Sequence, residues 1–250
     1  MLNGIDKNNG TKNMVDVECL FGARKETLER LKDLYSRSYF GDERLNKLRA
    51  VMYLQEIERI KKHFDFFPGG GRILDIGCGR GEFLSLFDNT WEKYGIEISD
   101  YAREVSNKNG IITDFKLQDN FFDIIVFRGT IQHIPDPVHK IEEAYYWLKK
   151  EGGVVFLSTP NTNSIVYRLF RELPMINPQF NFLLPSDKMI EQILSNFGFT
   201  EIEFEYPYIG TPYARPLRDI ISFILRLLRV KEKVDFPFYG NVVECYARKR

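Results

Sequence analysis

The stretch ILDIGCGRGEFL, residues 73–84, constrains the fold more than any other part of the chain. Ile73, Leu74 and Ile76 form the short apolar run of a buried strand, and Gly77, Cys78, Gly79, Arg80 and Gly81 form a tight turn. The residues from Glu82 onward predict the start of a helix. A side chain at Gly77 or Gly79 would keep the backbone from closing the turn and from lying directly against a ligand. A dinucleotide fingerprint would need its third glycine at position 82, where the chain has Glu82. Asp75, two residues before Gly77, would set a carboxylate beside a pyrophosphate, whereas it suits a ligand that carries an ammonium group.

Glu97, inside YGIEIS, stands 20 residues after Gly77. A carboxylate at the end of the second strand is placed to accept hydrogen bonds from the two hydroxyls of a ribose. The ligand these residues describe is a nucleoside bearing an amino acid. With its ribose-binding acid, D-x-G-C-G-x-G resembles the cofactor motif of class I methyltransferases dependent on S-adenosyl-L-methionine. FDIIVFRGTIQHIPDP (122–137) and LKKEGGVVFLSTPN (148–161) resemble the fourth and fifth strand motifs of that family, in the right order. The resemblance implies roles at matching positions. Asp75 and the backbone of Gly77, Cys78, Gly79 and Gly81 would hold the methionine end, Glu97 the ribose, and Ile98 and Asp114 the adenine. Arg128 leaves the strand edge where ligands bind in such sheets. A Tyr-Phe pair ahead of the domain, here Tyr39 and Phe40, would fold over the cofactor; plain core packing is the alternative.

The pattern predicts an α/β fold with a doubly wound, mostly parallel seven-stranded sheet, whose strands fall near 73–76, 94–98, 111–113, 122–127, 154–158, 200–205 and 241–247. The last strand is expected to be antiparallel. Residues 1–16, rich in Asn, Gly, Asp and Lys, predict a mobile tail, and 17–66 a helical cap with helices near 24–35 and 44–64. The methyltransferase domain then fills 67–250. Two segments are too long for simple connections, 161–185 and 206–239, and insertions at a ligand edge are where substrate choice usually resides.

Lysine plus arginine equals aspartate plus glutamate at 35 each, so no global basic field is present to hold a nucleic-acid backbone. The residues after the fourth strand, Arg128 to Ile131, do not resemble the D/N-P-P-Y string of amino-methylating nucleic-acid enzymes. Cys19, Cys78 and Cys245 make neither a disulfide framework nor a metal-spaced pair, which suits a reducing cytosol, and no metal is expected. The N-terminus has no apolar signal core, and no run of about 18 apolar residues predicts a membrane span.

His133 is the imidazole nearest the expected reaction centre, and a neutral histidine there could take a proton from an acceptor hydroxyl. A shared structural role for the H-x-P-D-P string is the competing reading. His63 and His139 read as solvated or capping. Residues 216–233 form a basic amphipathic helix with Arg218, Ser222, Arg226 and Arg229 opposite a broad Leu/Ile face that includes 217–228. Such a helix, through 217–229, can lie peripherally on a membrane, dock on its own domain, or join two copies as a homodimer. The reading that follows is an O-methyltransferase for a small-molecule or glycan acceptor, possible lipid linkage included. The insertions and the STPN segment resemble bacterial members that modify saccharides and natural products. A quinone-type enzyme at the membrane surface and a cofactor-binding module without turnover are the alternatives.

Overall fold

The computed structural model describes residues 25–41, 43–64, 69–150, 152–176, 180–233 and 238–250. The tail expected over 1–16 and Cys19 lie outside the described residues. Helices α1 (Lys25–Leu34) and α2 (Glu43–His63) precede the sheet. The strands are β1 (Gly71–Ile76), β2 (Trp91–Ile96), β3 (Ile124–Arg128), β4 (Val154–Pro160), β5 (Phe199–Glu205) and β6 (Val242–Lys249), in the order β2-β1-β3-β4-β6-β5. The first four are parallel; β6 runs antiparallel between β4 and β5. Helices α3 (Asp100–Lys108), α4 (Pro137–Trp147), α5 (Ile165–Phe170), α6 (Asp187–Asn196) and α7 (Pro216–Leu227) complete the chain.

Alternation along the strands sorts side chains to two faces. Ile73, Ile124 and Val126 pack with Ile57 and Ile60 of α2 and with Phe64 just after it, while Leu74, Ile76, Ile125 and Phe127 pack with Ile141 and Ala144 of α4 and Ile190 and Leu194 of α6. Both faces are covered, as a parallel sheet requires. The helices start where the sequence supplies side-chain acceptors: Ser99 accepts from the Ala102 N–H, Asp136 from that of His139, and Ser186 from that of Met189.

Three expectations are corrected. The sheet has six strands, not seven, among the described residues; the third predicted strand shrinks to one bridge, Tyr94 to Ile112. Only three residues separate the positive-φ Gly110 from Asp114 and the mostly exposed, polar stretch after it, too few to extend a ladder. The helix expected from Glu82 is a single 3₁₀ turn, Leu84–Leu86, because β2 begins at Trp91 and leaves no room for more. The amphipathic helix stops at Leu227 rather than 233, with Arg229 in the left-handed region.

The two insertions meet. Val166 and Leu173 from the first and Phe223 and Phe238 from the second share a small third core, and Arg226 pairs with Glu172 at 2.8 Å. Two ion pairs with buried carboxylates tie α2 to the sheet beneath it. Arg59 grips the buried Glu244 of β6 with two bonds of 2.6 Å, and Glu56 binds Arg128 at the end of β3. His63 is not solvated, as its sequence suggested: it stacks on Tyr246 at 4.0 Å and bonds Glu203 and Glu205. Removing one partner of a buried pair strands the other. Glu244→Ala should therefore cost about 3–5 kcal/mol in urea unfolding, whereas Glu104→Ala, in the exposed pair with Lys108, should leave the midpoint unchanged.

Candidate functional site

Parallel pairing of β1 with β2 sets Ile76 opposite Ile96, so the chain leaves both strands side by side. The N–H groups of Gly77 and Cys78 then donate to the Ile96 carbonyl, at 2.8 and 3.2 Å, and the Gly79 N–H donates to Glu97 Oε2 at 2.8 Å. Glu97 Oε1 accepts from the Ser99 N–H at 2.8 Å. Backbone N–H groups thus reach both carboxylate oxygens and still leave a lone pair to spare. Burial pushes the Glu97 carboxyl up, against the backbone donors that pull it down. Gly77 sits at φ +85°, and a Cβ there would come 2.4 Å from Thr130 Oγ1, so no other residue fits beneath the loop after β3.

These residues open onto a cavity of about 310 Å³. Gly77, Cys78, Gly79, Glu97 and Ile98 form its floor; Tyr35, Tyr39 and Phe40 stand across it; Arg128, Thr130 and His133 come from the end of β3 and the loop beyond. The rings of Tyr35, Tyr39 and Phe40 meet edge to face at 5.0–5.1 Å, and Phe40 lies over Gly79. Of the residues singled out from the sequence, Tyr39, Gly77, Cys78, Gly79, Glu97, Ile98, Arg128 and His133 line the cavity, and Asp75, Gly81 and Asp114 do not.

Each of those three has a physical reason. Asp75 lies behind the floor, buried, with both carboxylate oxygens lacking a partner. Burial raises its pKa to about 7; Arg128 opposes the shift, and Glu56 and Glu97 add to it. Gly81 packs against Ile111 and Ser106, where a Cβ would come 2.7 Å from Ile111. Asp114 is exposed at the sheet edge, carried away from the cavity by the polar segment that follows the Ile112 bridge. The Cys78 thiol faces Ser106 at 3.7 Å and is pushed up by burial, so only its backbone serves the cavity floor.

Arg128 is not a free cation. Its guanidinium bonds Glu56 and lies 4.1 Å from the Tyr53 ring centre and 4.0 Å from that of Phe83. His133 Nδ1 donates to the Phe180 carbonyl at 2.9 Å, which leaves Nε2 with the lone pair. That nitrogen lies 3.2 Å from the Gln132 amide, itself bonded to the Gly129 carbonyl and the Thr159 hydroxyl. Burial lowers the His133 pKa, against the Phe180 bond, so the ring is neutral near pH 7. Among the described residues no cluster of three or more His, Cys, Asp or Glu could hold a metal.

Several lining residues escaped the sequence reading. Arg49, Met52, Tyr53 and Glu56 fall at i, i+3, i+4 and i+7 of α2 and turn one helical face to the cavity. That spacing was the available signal, masked by the apolar stripe of the same helix. Arg49 lies over the Tyr39 ring at 5.6 Å, and among the described residues no carboxylate pairs with it. Tyr213 arrives from the second insertion. A glycine turn open to the cavity, a carboxylate at the ribose position, an orphaned carboxylate behind it and an arginine with no carboxylate partner among the described residues fit a ligand with hydroxyls, an ammonium and a carboxylate.

The described fold and site have clear relatives. The family model for a methyltransferase domain matches residues 46–203. A malonyl-[acyl-carrier protein] O-methyltransferase of Paenibacillus sp. (strain JDR-2) is 27% identical over 176 residues, 61% of this chain and 63% of that protein. A ubiquinone biosynthesis O-methyltransferase of Xanthomonas axonopodis pv. citri is 30% identical over 120 residues, 41% of this chain and 48% of that one. The chain thus spans about half to two thirds of these relatives. In fold it is similar to a methyltransferase from Thermotoga maritima described as a possible histamine N-methyltransferase, with a TM-score of 0.59 at 22% identity over 90% of this chain and 99% of that one. The matched model covers more than half of the sequence and contains the whole glycine turn; the chain belongs to the methyltransferase-domain family.

Proposed function

We propose that the chain methylates an oxygen of a small-molecule acceptor. The observation that carries this reading is the pairing of Glu97 with the Gly79 N–H at the floor of a cavity walled by Tyr35, Tyr39 and Phe40. Glu97 would hold the ribose hydroxyls of S-adenosyl-L-methionine, Arg49 its carboxylate and Ile98 the flank of its adenine, while Asp75, behind the floor, would favour the ammonium through its field rather than by contact. The cofactor supplies a methyl group on a sulfonium, which needs no covalent nucleophile from the protein. The chain's own work is then placement: the aromatic wall excludes water, favours a nearby cation and stacks on a ring-bearing acceptor. His133, fixed as the Nδ1–H tautomer by Phe180, would offer Nε2 to the acceptor hydroxyl in place of the Gln132 amide.

A saccharide hydroxyl suits the hydroxyl-bearing lining, Tyr35, Thr130, Ser158 and Tyr213 among it. A quinone-type phenol is the second reading, favoured by the Xanthomonas relative's printed role and by the tyrosines at 35, 39, 53 and 213. Either acceptor could be lipid-linked and met at a membrane surface. Incubation with methyl-labelled cofactor and cell extract tests the reaction; cofactor binding without label in any acceptor would favour a module without turnover.

Three outcomes are expected. Glu97→Ala removes acceptors worth roughly 1.5–3 kcal/mol each and should weaken cofactor binding on the order of 100-fold by calorimetry. Unchanged affinity would remove the ribose assignment. Asp75 favours an ammonium across the cavity floor only when ionised, so affinity should rise with pH up to about 7 and then level off. The sign for stability is opposite. A carboxyl raised above its ordinary value near 4 makes the cofactor-free protein lose stability as pH rises from about 4 to about 7, and Asp75→Asn should flatten both profiles. His133→Asn should lower turnover by about 10²-fold or more with cofactor affinity kept. Because burial lowers the His133 pKa, the rate of the native enzyme should be flat at neutral pH and fall only on the acid side of the usual histidine range.

A further inference from the structure

Helix α7 is inside out. The residues it buries fully are polar, with only the half-buried Phe223 packed inward among its apolar ones. Asp219 is fully buried and accepts from the Tyr208 hydroxyl at 2.7 Å, the Arg215 N–H at 2.9 Å and the Arg218 guanidinium at 3.0 Å. Ser222 is buried and accepts from Lys231 Nζ at 3.0 Å, and Arg226 reaches across to Glu172. The residues it exposes are apolar: Leu217 is 81% exposed, Ile221 57% and Leu228 66%, with Ile220, Ile224 and Leu227 about half exposed beside them. An amphipathic helix ordinarily turns its apolar stripe to the core. Here the polar anchors hold the opposite orientation, so the helix cannot roll over without breaking them.

The charges say what covers this face. Residues 215–233 carry six cations, Arg215, Arg218, Arg226, Arg229, Lys231 and Lys233, against two acids, Asp219 and Glu232, and with Glu172 pairing Arg226 an excess of three positive charges remains in a chain of net charge zero. Arg215 and Arg218 stand at the first turn; Arg229 and Lys233 follow the last. A second copy would bring the same cations against these, whereas an anionic bilayer supplies both an apolar layer and the opposite charge. No helix among the described residues is long and apolar enough to cross a membrane. The exposed Ile165 and Leu169 of α5, with Arg168 and Arg171, repeat the same combination on the neighbouring insertion.

We propose that α7 lies in the interface of an anionic membrane with its apolar face inward. Tyr213, in the cavity wall, is three residues from Pro216, so at most about 10 Å of chain separates the cavity from the bilayer surface. The acceptor this placement favours is amphiphilic, its hydroxyl presented at the headgroup level. That last step rests on the methyl-transfer reading; the docking does not.

The test is co-sedimentation of the full chain with phosphatidylcholine vesicles made with and without about 30% phosphatidylglycerol. It is repeated with the double variant Ile220→Asp/Ile224→Asp, with light scattering for oligomeric state and calorimetry for cofactor binding. Binding at least about tenfold stronger to the anionic vesicles is expected, weakened by salt and lost in the variant, whose cofactor affinity stays that of the native protein. The proposal is overturned if the native chain ignores both vesicles or prefers neither, or if the variant still binds them. It is equally overturned if the native chain is a dimer that the variant converts to monomers. Vesicle binding without any cofactor binding would instead remove the methyl-transfer reading and leave the docking intact.

Discussion

The site depends on one register. Parallel pairing that sets Ile76 opposite Ile96 ends two strands at the same level, and everything at the cavity floor follows from that coincidence. The glycine turn leaves one strand just where Glu97 leaves the other, and the Gly79 N–H closes the gap. A slip of one residue would turn Leu74 and Ile76 to the wrong face of the sheet and carry Glu97 away from the turn. Core packing and ligand recognition are therefore enforced by the same hydrogen bonds.

Helix α2 then serves two purposes with two faces. Ile57 and Ile60, with Phe64 just after the helix, press on the sheet, while Arg49, Met52, Tyr53 and Glu56 look into the cavity. The Glu56–Arg128 pair links the two, since it anchors the helix and also sets the field at Asp75. With Arg128 held by Glu56, its positive charge only partly offsets the burial of Asp75, and the orphaned carboxyl stays poised near neutrality until a cation arrives.

What was legible in the sequence had local causes. The glycine turn, the acid 20 residues on and the alternation of strands and helices are all encoded within a few neighbouring residues. The third strand and the helix after Glu82 failed because length, not pattern, decides them: Gly110 and Asp114 leave only three residues for the one, and Trp91 ends the other too soon. Asp114 was placed by analogy with a longer loop, and the shorter one does not reach. Arg49, Glu56 and Tyr213 stayed hidden because their partners lie far away in sequence, and the orientation of α7 was invisible because amphipathicity gives two faces without saying which one is inside.

The bond between His133 and the Phe180 carbonyl has a partner in the Phe182 N–H, which donates to the Gln132 carbonyl at 2.8 Å. Two adjacent residues beside the reaction centre are thus stitched to the first insertion through its main chain rather than its side chains. The insertion can change its side chains freely without loosening that seam, but it cannot be lengthened or exchanged there without shifting the imidazole. Diversification of such an enzyme would proceed by substitution within a loop of conserved length, and a loop borrowed from a relative would function only if the dipeptide it is sewn to came with it.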